Sequence, residues 1–496
     1  MVIDLRSILS DPLIVPRLII WSVVVGILSI TVADPDLWGH VAFGRDIINT
    51  FELPVNDPYS FTADRPWVNH EWLSEVLMAL AHQVAGPTGL SILKLMLLLT
   101  TFVLVMKELK ARGVPPINRD VIAIVCLVGS LTLTRTVRPQ TFSLLCAALL
   151  VMAIRRADER PRALWTIPVL MAVWANLHGG WLVGMGILSI AALDRVVTLR
   201  GAARLHWAVA MTASLVATLV TPYGVGLWLF LWRTVGLTRA DISEWQSLAN
   251  LSAAHWVPWM IVTIFAVIAF VRDRSRRASE VVLVLALMAL SFKVWRVVPF
   301  YAVSAAMLLG PGPRAATRQS PRRLLPQPRD VELIAVGMAA ILFATGSAVV
   351  TVKNAGCIQM AGAWTPDQQA AKFIRDAGLN GRMLTWFDWG EYAIWSLSPK
   401  IRVSMDGRRE TIYSDNVIAQ HLAIYSGEGE WKMELGKLDP DYVWLPIKVP
   451  TLDIMEASGW TTIFRSQHSA VLSRRPVTSS PGLEIGSASC FPGVLS

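Results

Sequence analysis

The residues best suited to chemistry lie in a polar loop, residues 34–71, directly after the first apolar segment. This loop concentrates carboxylates and histidines in a chain that is otherwise strongly apolar. Its candidate residues are Asp34, Asp36, His40, Asp57, His70 and Glu71. Acidic groups next to a membrane cost free energy unless they bind a ligand or react there. We therefore expect the chemistry of the protein in this loop.

Asp34 and Asp36 flank Pro35, and a proline restricts the preceding residue to an extended backbone. The two carboxylates could share a divalent cation such as Mg or Mn, or one could act as general base on a hydroxyl group. Alternatively, they cap the following helix and remain solvated. The D-x-D pattern alone does not decide between these interpretations.

His70 and Glu71 also allow two interpretations. With His40 and Asp57 they could form the walls of a substrate pocket. Alternatively, Asn69 is the N-cap of a helix that begins here, and Glu71 is favourable near the positive end of that helix.

The composition predicts an integral membrane protein. Of 496 residues, 54% are hydrophobic and 16% are charged, and the mean hydropathy is +0.49. Soluble domains carry roughly 25% charged residues. The net charge of +9 would suggest nucleic acid in a soluble protein, but here the arginines belong in loops between spans. No nucleic-acid partner is expected.

About eleven apolar runs are candidates for membrane spans, each near the ~20 residues that cross a bilayer. They are 13–33, 88–106, 119–134, 139–154, 163–178, 180–194, 205–220, 256–271, 280–295, 297–310 and 331–352. Trp72–Ala85 and His40–Thr50 are interpreted as helices on the membrane surface. Counting Trp72–Ala85 as a span would invert every later loop.

The loops between these runs alternate in charge. One set holds most of the Lys and Arg residues, including Arg155, Arg195 and Arg272, and the positive-inside rule places that set in the cytoplasm. The N-terminus is then cytoplasmic. Loop 34–71 and everything after residue 353 face outward.

Two cations, Arg138 and Arg296, lie near span ends on the outward side. They could extend toward lipid headgroups, or they could bind a lipid-linked phosphate through bidentate hydrogen bonds.

Other polar residues lie near outward span ends. Asn176 and His178 could face a cavity, or they could belong to a packing turn next to two glycines. Tyr223, Glu244 and Trp245 belong to a loop that could cover a cavity or lie at the membrane interface.

From residue 353 the composition becomes that of a soluble domain, which we expect to end at residue 475. Predicted strands and helices alternate, which indicates a small three-layer α/β unit. The predicted elements include a helix at Pro366–Ala377 with Thr365 as N-cap, strands at Met383–Trp386, Ile401–Met405 and Tyr442–Pro446, and a hairpin of Thr461–Arg465 with Ala470–Ser473. The tail, 476–496, is rich in Ser, Gly and Pro and is predicted to be disordered.

Three features of this domain could bear on function. Cys357 and Cys490 could form a disulfide if the domain lies in an oxidising compartment. Asp388–Tyr392 and Asp406–Arg408 fall where strands end, the usual place of ligand sites in α/β proteins. Asp-Gly and Trp-Gly are also ordinary turn formers, so a structural role for both segments stays open.

The sequence contains no Walker motif, no G-x-S-x-G, no H-E-x-x-H and no Cys/His zinc spacing. ATP-driven transport and the common hydrolase mechanisms are therefore disfavoured.

The arrangement resembles the GT-C superfamily of membrane glycosyltransferases, which take a sugar from a polyprenyl phosphate or diphosphate on the outer face of the membrane. The likeness lies in the many spans, the large first outer loop with acidic residues after the first span, and the outer C-terminal domain. The chain also resembles a branch of bacterial membrane proteins that share a series of motifs. Here these motifs are Ala33–His40, Asp57–Thr62, Trp67–Glu75, Arg138–Gln140, Trp174–Gly180, Thr221–Gly224, Glu244–Trp245, Asp388–Tyr392 and Asp406–Arg408.

The resemblance implies a GT-C-like transmembrane domain at 1–352 and a periplasmic α/β domain at 353–475, in a bacterial inner membrane. It implies transfer of a sugar from a polyprenyl-phosphate donor to a lipid or glycan acceptor, among membrane lipids. Asp36 or Asp34 would be the base or a metal ligand, since D-P-D stands where related transferases have adjacent Asp and Glu.

The remaining candidates take supporting roles in this interpretation. Arg138 and Arg296 would hold the donor phosphate. The pocket would be formed by His40, Asp57, His70, Glu71, Asn176, His178, Tyr223, Glu244 and Trp245. A transporter or flippase for a lipid-linked substrate, or a non-catalytic envelope scaffold, are the alternatives. Ionisable residues gathered at one face favour an enzyme over a transporter, which usually carries them at the membrane midplane.

Overall fold

The structure, a computed structural model, describes residues 14–234, 242–273, 276–310, 330–362, 364–477 and 488–493. The chain divides into two compact units. The first, called the membrane unit, comprises 1–31, 91–224 and 237–356; the second, called the mixed unit, comprises 32–90, 225–236 and 357–496.

Helices dominate the described residues. They are α1 Ile14–Ser29, α2 Leu37–Thr50, α3 Trp72–Ala111, α4 Pro116–Thr134, α5 Gln140–Glu159, α6 Thr166–Leu177, α7 Trp181–Thr198, α8 Gly201–Ala217, α9 Val225–Thr234, α10 Ala253–Arg272, α11 Ala278–Lys293, α12 Val298–Leu309, α13 Asp330–Ala355, α14 Gln368–Asp376, α15 Gly390–Leu397, α16 Asp415–Ser426, α17 Trp431–Leu438 and α18 Thr451–Ala457. The strands are β1 Gly381–Thr385, β2 Ile401–Val403, β3 Tyr442–Pro446, β4 Thr461–Arg465 and β5 Ser469–Ser473.

Every apolar run predicted as a span forms a helix, which confirms the helical membrane-protein class. Among the described residues, six helices are long and apolar enough to cross a membrane: α3, α4, α5, α7, α10 and the Ile334–Ala355 part of α13. Several others, such as the 12-residue α6 and α12, are shorter than a full span. The total of about eleven spans therefore stays a prediction.

The break predicted between the surface helix at Trp72–Ala85 and the next span is present inside α3. Ala85 and Gly86 have non-helical backbone angles, and Gly86 has φ +57°. Only a residue without a β-carbon adopts that φ without strain. Pro87 follows and could not continue the preceding helix, so the sequence separates the two helical segments.

The sheet of the mixed unit has five strands in the order β2-β1-β3-β5-β4. The strands β2, β1 and β3 are parallel, whereas β5 pairs antiparallel with β3 and with β4. The predicted hairpin and the predicted strand at Tyr442–Pro446 are thus confirmed.

Helices cover both faces of this sheet. Val443 and Leu445 of β3 belong to a buried cluster with Ile424 of α16 and Leu435 of α17. Trp444 points to the other face, because strand side chains alternate, and its ring lies 5.3 Å from that of Trp389. The predicted three-layer arrangement is present.

The predicted N-terminus of α14 is wrong by two residues. Asp367, not Thr365, is the N-cap, and its carboxylate accepts hydrogen bonds from the N–H groups of Gln369 and Ala370. The helix therefore begins at Gln368, and Pro366 lies outside it. An aspartate that caps two N–H groups outweighs the preference of proline for the first helical position.

The first loop belongs to the mixed unit rather than to the membrane unit. The Phe61 N–H donates to the Val403 carbonyl at 3.1 Å, and the Val403 N–H donates to the Tyr59 carbonyl at 3.0 Å. The loop thus lies along the edge of the sheet at β2. This division differs from the sequence-based one, which separated 1–352 from 353–475.

Part of the tail packs against the first loop. Cys357 and Cys490 form a disulfide, the Trp38 indole N–H donates to the Pro492 carbonyl at 3.0 Å, and the Phe491 ring lies 5.3 Å from that of Trp38. The rest of the tail that was predicted to be disordered, 478–487 and 494–496, lies outside the described residues.

Replacing both Cys357 and Cys490 with Ser should lower the stability of the mixed unit by about 2–5 kcal/mol, the usual cost of losing a native disulfide. The measurement is the thermal midpoint of purified protein with and without reductant. Reductant should lower the midpoint of the wild type and leave the double variant unchanged. Unfolded wild-type protein should show two reactive thiols before reduction, Cys126 and Cys146. Four would contradict the disulfide.

Candidate active site

A buried ion-pair network centred on Arg408, here called the Arg408 clamp, joins the first loop to the end of β2. The guanidinium donates to Asp406 at 2.9 and 2.7 Å and also to Asp57. The Tyr413 hydroxyl donates to the same Asp406 carboxylate at 2.8 Å. The side chains of Asp57 and Asp406 are 0% exposed.

The rings of Phe43, Tyr59 and Trp67 surround the Arg408 guanidinium at 4.7, 5.3 and 4.6 Å. Burial alone would lower the pKa of Arg408, but the charges of Asp406 and Asp57 hold that pKa well above its usual value. Arg408 is therefore positively charged at any physiological pH. Asp57, predicted as a pocket residue, lies in this clamp, where it fixes the loop.

Asp34 and Asp36 have different surroundings. Asp34 is buried, and its carboxylate accepts a hydrogen bond from the Asp36 N–H at 3.1 Å. Asp36 is half-buried and precedes α2, but its side chain makes no capping hydrogen bond to that helix. The capping interpretation therefore does not describe the Asp36 carboxylate, whereas Asp34 holds the turn that presents it.

His40 follows Asp36 by one helical turn. Its Nδ1 lies 3.2 Å from Glu75 Oε1, and the Asn69 amide donates to Glu75 Oε2 at 2.5 Å. Burial lowers the pKa of His40, but the hydrogen bond to Glu75 and the charges of Glu71, Glu75 and Asp36 outweigh it and raise the pKa to about 9. His40 is therefore an imidazolium near Asp36 at neutral pH.

His70 pairs with Glu71 at 3.3 Å, and its ring lies 5.3 Å from Phe230. Burial lowers the pKa of His70, but the charge and hydrogen bond of Glu71 raise it above its usual value overall. Asn69 accepts a hydrogen bond from the Glu71 N–H at 3.2 Å and so holds the turn before α3. Because α3 begins at Trp72, Asn69 lies outside the N-cap position that the sequence predicted for it.

Glu391 brings another carboxyl group to Asp36. A β-carbon added at Gly407 would lie 2.2 Å from Asp36 Oδ1 and 2.9 Å from Glu391 Oε1, so both carboxyl groups border the same glycine. Glu391 is 3% exposed. Burial, followed by the charges of Asp36 and Asp406, raises the pKa of Glu391 well above its usual value.

Sequence reasoning offered the segments Asp388–Tyr392 and Asp406–Arg408 either as a ligand site of the α/β domain or as turns, and it did not connect Glu391, Asp406 or Arg408 with the first loop. Glu75 was not among the candidate site residues. The available signal was the set of shared motifs, since these residues lie within Trp67–Glu75, Asp388–Tyr392 and Asp406–Arg408. Asp-Gly and Trp-Gly are turn formers, so two of those motifs had a local explanation. That explanation gave no reason to expect contacts with the distant first loop, such as that of Arg408 with Asp57.

No three His, Cys, Asp or Glu side chains in the described part of the chain are arranged to hold a metal ion. The Asp34 carboxylate already accepts a backbone hydrogen bond. A cation such as Mg or Mn held by Asp34 and Asp36 stays a prediction.

A second polar group lies in the membrane unit. Arg138, between α4 and α5, donates to Glu244 at 2.7 Å, and Arg296, just before α12, lies 3.7 Å from the other oxygen of Glu244. The Arg296 guanidinium lies 5.5 Å from the Trp245 ring centre. Burial raises the pKa of Glu244, but the two arginines outweigh it and lower the pKa overall. Glu244 therefore bridges both arginines as a carboxylate.

Asn176 and His178 take part in packing within the membrane unit. The Asn176 amide donates to the carbonyls of Ala172 and Val220 at 2.9 and 2.8 Å. His178 Nδ1 lies 2.7 Å from the Ser143 hydroxyl and accepts from the Gly180 N–H at 2.9 Å. These contacts match the packing-turn interpretation. Tyr223 lies half-buried in the turn after α8.

The predicted site residues thus form two groups. Asp34, Asp36, His40, Asp57, His70 and Glu71 belong to the mixed unit. Arg138, Arg296, Glu244, Trp245, Asn176, His178 and Tyr223 belong to the membrane unit. Proton acceptance by the first group and phosphate binding by the arginines of the second stay predictions.

No protein family and no curated protein sequence matches the chain. Solved structures do match. The oligosaccharyltransferase of Archaeoglobus fulgidus in its apo form has a TM-score of 0.56 at 10% identity, over 88% of this chain and 70% of that one. ArnT from Cupriavidus metallidurans bound to undecaprenyl phosphate has a TM-score of 0.56 at 12% identity, over 94% of this chain and 99% of that one.

The arabinofuranosyltransferase AftD from Mycobacteria has a TM-score of 0.53 at 12% identity, over 94% of this chain and 40% of that one. All three are membrane glycosyltransferases of the GT-C superfamily. The structural similarity establishes the fold, and at identities this low it establishes the fold alone. The chain therefore has the fold of the GT-C membrane glycosyltransferases.

Proposed function

We propose that the protein is a membrane glycosyltransferase that moves a sugar from a polyprenyl-phosphate carrier to a hydroxyl group of an envelope lipid or glycan. The observation that carries this proposal is the Asp36 carboxylate at the start of α2, near a protonated histidine, in a chain with the GT-C fold. The structures of similar fold include complexes with undecaprenyl phosphate and with a dolichol-phosphate, which supports the same class of donor.

Asp36 is the general base of the proposed reaction. It accepts the proton of the acceptor hydroxyl as that oxygen bonds to the sugar, while the bond from the sugar to the carrier phosphate breaks. Asp36 is preferred to Asp34 because Asp34 is buried and holds the Asp36 N–H. The positive charge of His40 lies near Asp36 at neutral pH, since the charge of Asp36 contributes to the raised pKa of His40.

Arg138 and Arg296 bind the carrier phosphate in this proposal. Both are charged throughout the physiological range and offer several N–H donors, which suits a phosphate group. Glu244 now bridges them, so an incoming phosphate competes with this carboxylate. The leaving group departs as a phosphate anion, a charge that arginines stabilise.

The reaction is proposed to occur on the outer face of the membrane. The Cys357–Cys490 disulfide supports this placement of the mixed unit, because disulfides persist in oxidising compartments. The charge distribution of the loops independently predicts the same side.

Asp36→Asn should lower kcat for sugar transfer by about 10²- to 10⁴-fold, the usual contribution of a general base. Asp34→Asn is the matched control, because an asparagine oxygen can still accept from the Asp36 N–H, and it should keep activity within about tenfold. The assay uses purified protein, labelled polyprenyl-phosphate sugars and envelope glycolipids. Full activity of Asp36→Asn would refute the proposed base.

Arg138→Gln and Glu244→Gln should change the donor KM in opposite directions. Loss of a charged donor weakens phosphate binding by about 1.5–3 kcal/mol, so Arg138→Gln should raise KM, whereas Glu244→Gln removes a competing anion and should lower it. Arg135→Gln, at an exposed arginine of the same loop, is the control and should leave KM unchanged. A rise in KM for both Arg138→Gln and Glu244→Gln would contradict competition between Glu244 and the phosphate.

His40 should make stability depend on pH. Its pKa in the folded protein, about 9, is above the ordinary value of about 6.5. Its contribution is therefore fully present below about pH 6.5 and is lost as the pH rises through about 9. The thermal midpoint of the wild type should fall across this range, and that of His40→Gln should fall less. Parallel pH curves for the two proteins would show that His40 does not pair as described.

A further inference from the structure

Glu391 is a buried acid that the proposed reaction leaves without a role. It lies in the second position of α15, is 3% exposed, and its Oε2 has no hydrogen-bond partner among the residues that the structure describes. A buried polar oxygen without a hydrogen-bond partner destabilises the folded state. If this position had only a structural role, an apolar or fully hydrogen-bonded side chain would give a more stable folded state.

The carboxyl group of Glu391 packs closely against two glycines. A β-carbon at Gly39, in the first turn of α2, would lie 2.0 Å from Glu391 Oε2 and 2.4 Å from its carboxyl carbon. A β-carbon at Gly407 would lie 2.9 Å from Glu391 Oε1 and 2.2 Å from Asp36 Oδ1. Neither glycine has a positive φ, so close approach to these carboxyl groups, rather than backbone conformation, accounts for the missing side chain.

The neighbouring acid Asp406 is a buried carboxylate with a structural role, and its hydrogen bonds can be compared with those of Glu391. It is completely buried, and its oxygens accept hydrogen bonds from Arg408 and from the Tyr413 hydroxyl. Buried charges usually have such partners. Glu391 borders the same loop without them, and its other oxygen shares the surface of Gly407 with Asp36.

We propose that Glu391 is a positioning residue for Asp36, which it holds across Gly407 in the orientation that accepts the proton of the acceptor. The proposal rests on the proposed function above. It extends that function because two residues from the C-terminal part of the chain, Glu391 of α15 and Gly407 of the loop after β2, then help to form the catalytic site.

The test compares Glu391→Ala, Glu391→Gln and Gly407→Ala. Glu391→Ala removes the group that borders Asp36 and should lower kcat about 10- to 100-fold, the scale of a misplaced catalytic group, with donor KM within about twofold. Glu391→Gln keeps the shape and the hydrogen-bonding oxygen and should restore most of the lost kcat. Gly407→Ala should resemble Glu391→Ala, because its β-carbon displaces both carboxyl groups.

Gly436→Ala is the matched control, since a β-carbon there meets nothing within 4 Å, and it should behave as wild type. Thermal midpoints of all four variants show whether they fold. A folded Glu391→Ala variant with wild-type kcat would overturn the proposal, and so would a failure of Glu391→Gln to exceed Glu391→Ala.

A double-mutant cycle measures the coupling of Asp36 and Glu391 without any transfer assay. The shifts in thermal midpoint of Asp36→Asn and Glu391→Gln should not add in the double variant, because two carboxyl groups that border the same glycine lie close enough to couple. Additive shifts would overturn the pairing of the two residues. Absence of transfer by the wild type with every donor would instead refute the proposed function, so the two failures are distinguishable.

Discussion

The ion pairs of Arg408 with Asp57 and Asp406 are the interaction on which the arrangement of the candidate site depends. They join the first loop to the end of β2 in a place from which water is excluded. Breaking such a pair by removing one partner costs about 3–5 kcal/mol, because the other charge is left buried and unpaired. The loop that carries Asp36 is thereby held against the loop that carries Gly407.

The buried acids around the Arg408 clamp differ in whether they have hydrogen-bond partners. Acids that serve structure are fully paired, as Asp57 and Asp406 are with Arg408, whereas Glu391 retains an oxygen without a hydrogen-bond partner within the described chain. His40 is protonated because Glu75 supports it. Asp36 thus lies near an imidazolium and near a second, buried carboxyl group, and the proposal that it activates a hydroxyl group relies on this arrangement. In the membrane unit, Glu244 balances part of the charge of Arg138 and Arg296.

Local signals in the sequence predicted most of the fold. Apolar runs gave the helices of the membrane unit, and alternation with turn residues gave β3 and the β4–β5 hairpin. The N-cap of α14 was missed because Thr365-Pro366 and Asp367 are both reasonable starts, and two backbone hydrogen bonds to Asp367 decide between them. The Asp36 region was recognisable because carboxylates next to an apolar segment are costly.

Long-range pairing was not predictable in the same way. Nothing local in Asp57 or in Arg408 indicates that the two side chains meet. Nor does anything local indicate that Asp36 and Glu391 border the same glycine, Gly407. Asn176 and His178 were plausible cavity residues by type, yet their hydrogen bonds go to neighbouring carbonyls and to Ser143.

The most direct measurement of the central claim is the stoichiometry of the reaction of purified protein with a polyprenyl-phosphate sugar and an envelope acceptor. Mass spectrometry would follow free polyprenyl phosphate and glycosylated acceptor together. Sugar transfer predicts that the two products appear in equal amounts. Release of polyprenyl phosphate without a glycosylated acceptor, or movement of intact carrier across a vesicle membrane with neither product, would contradict the account.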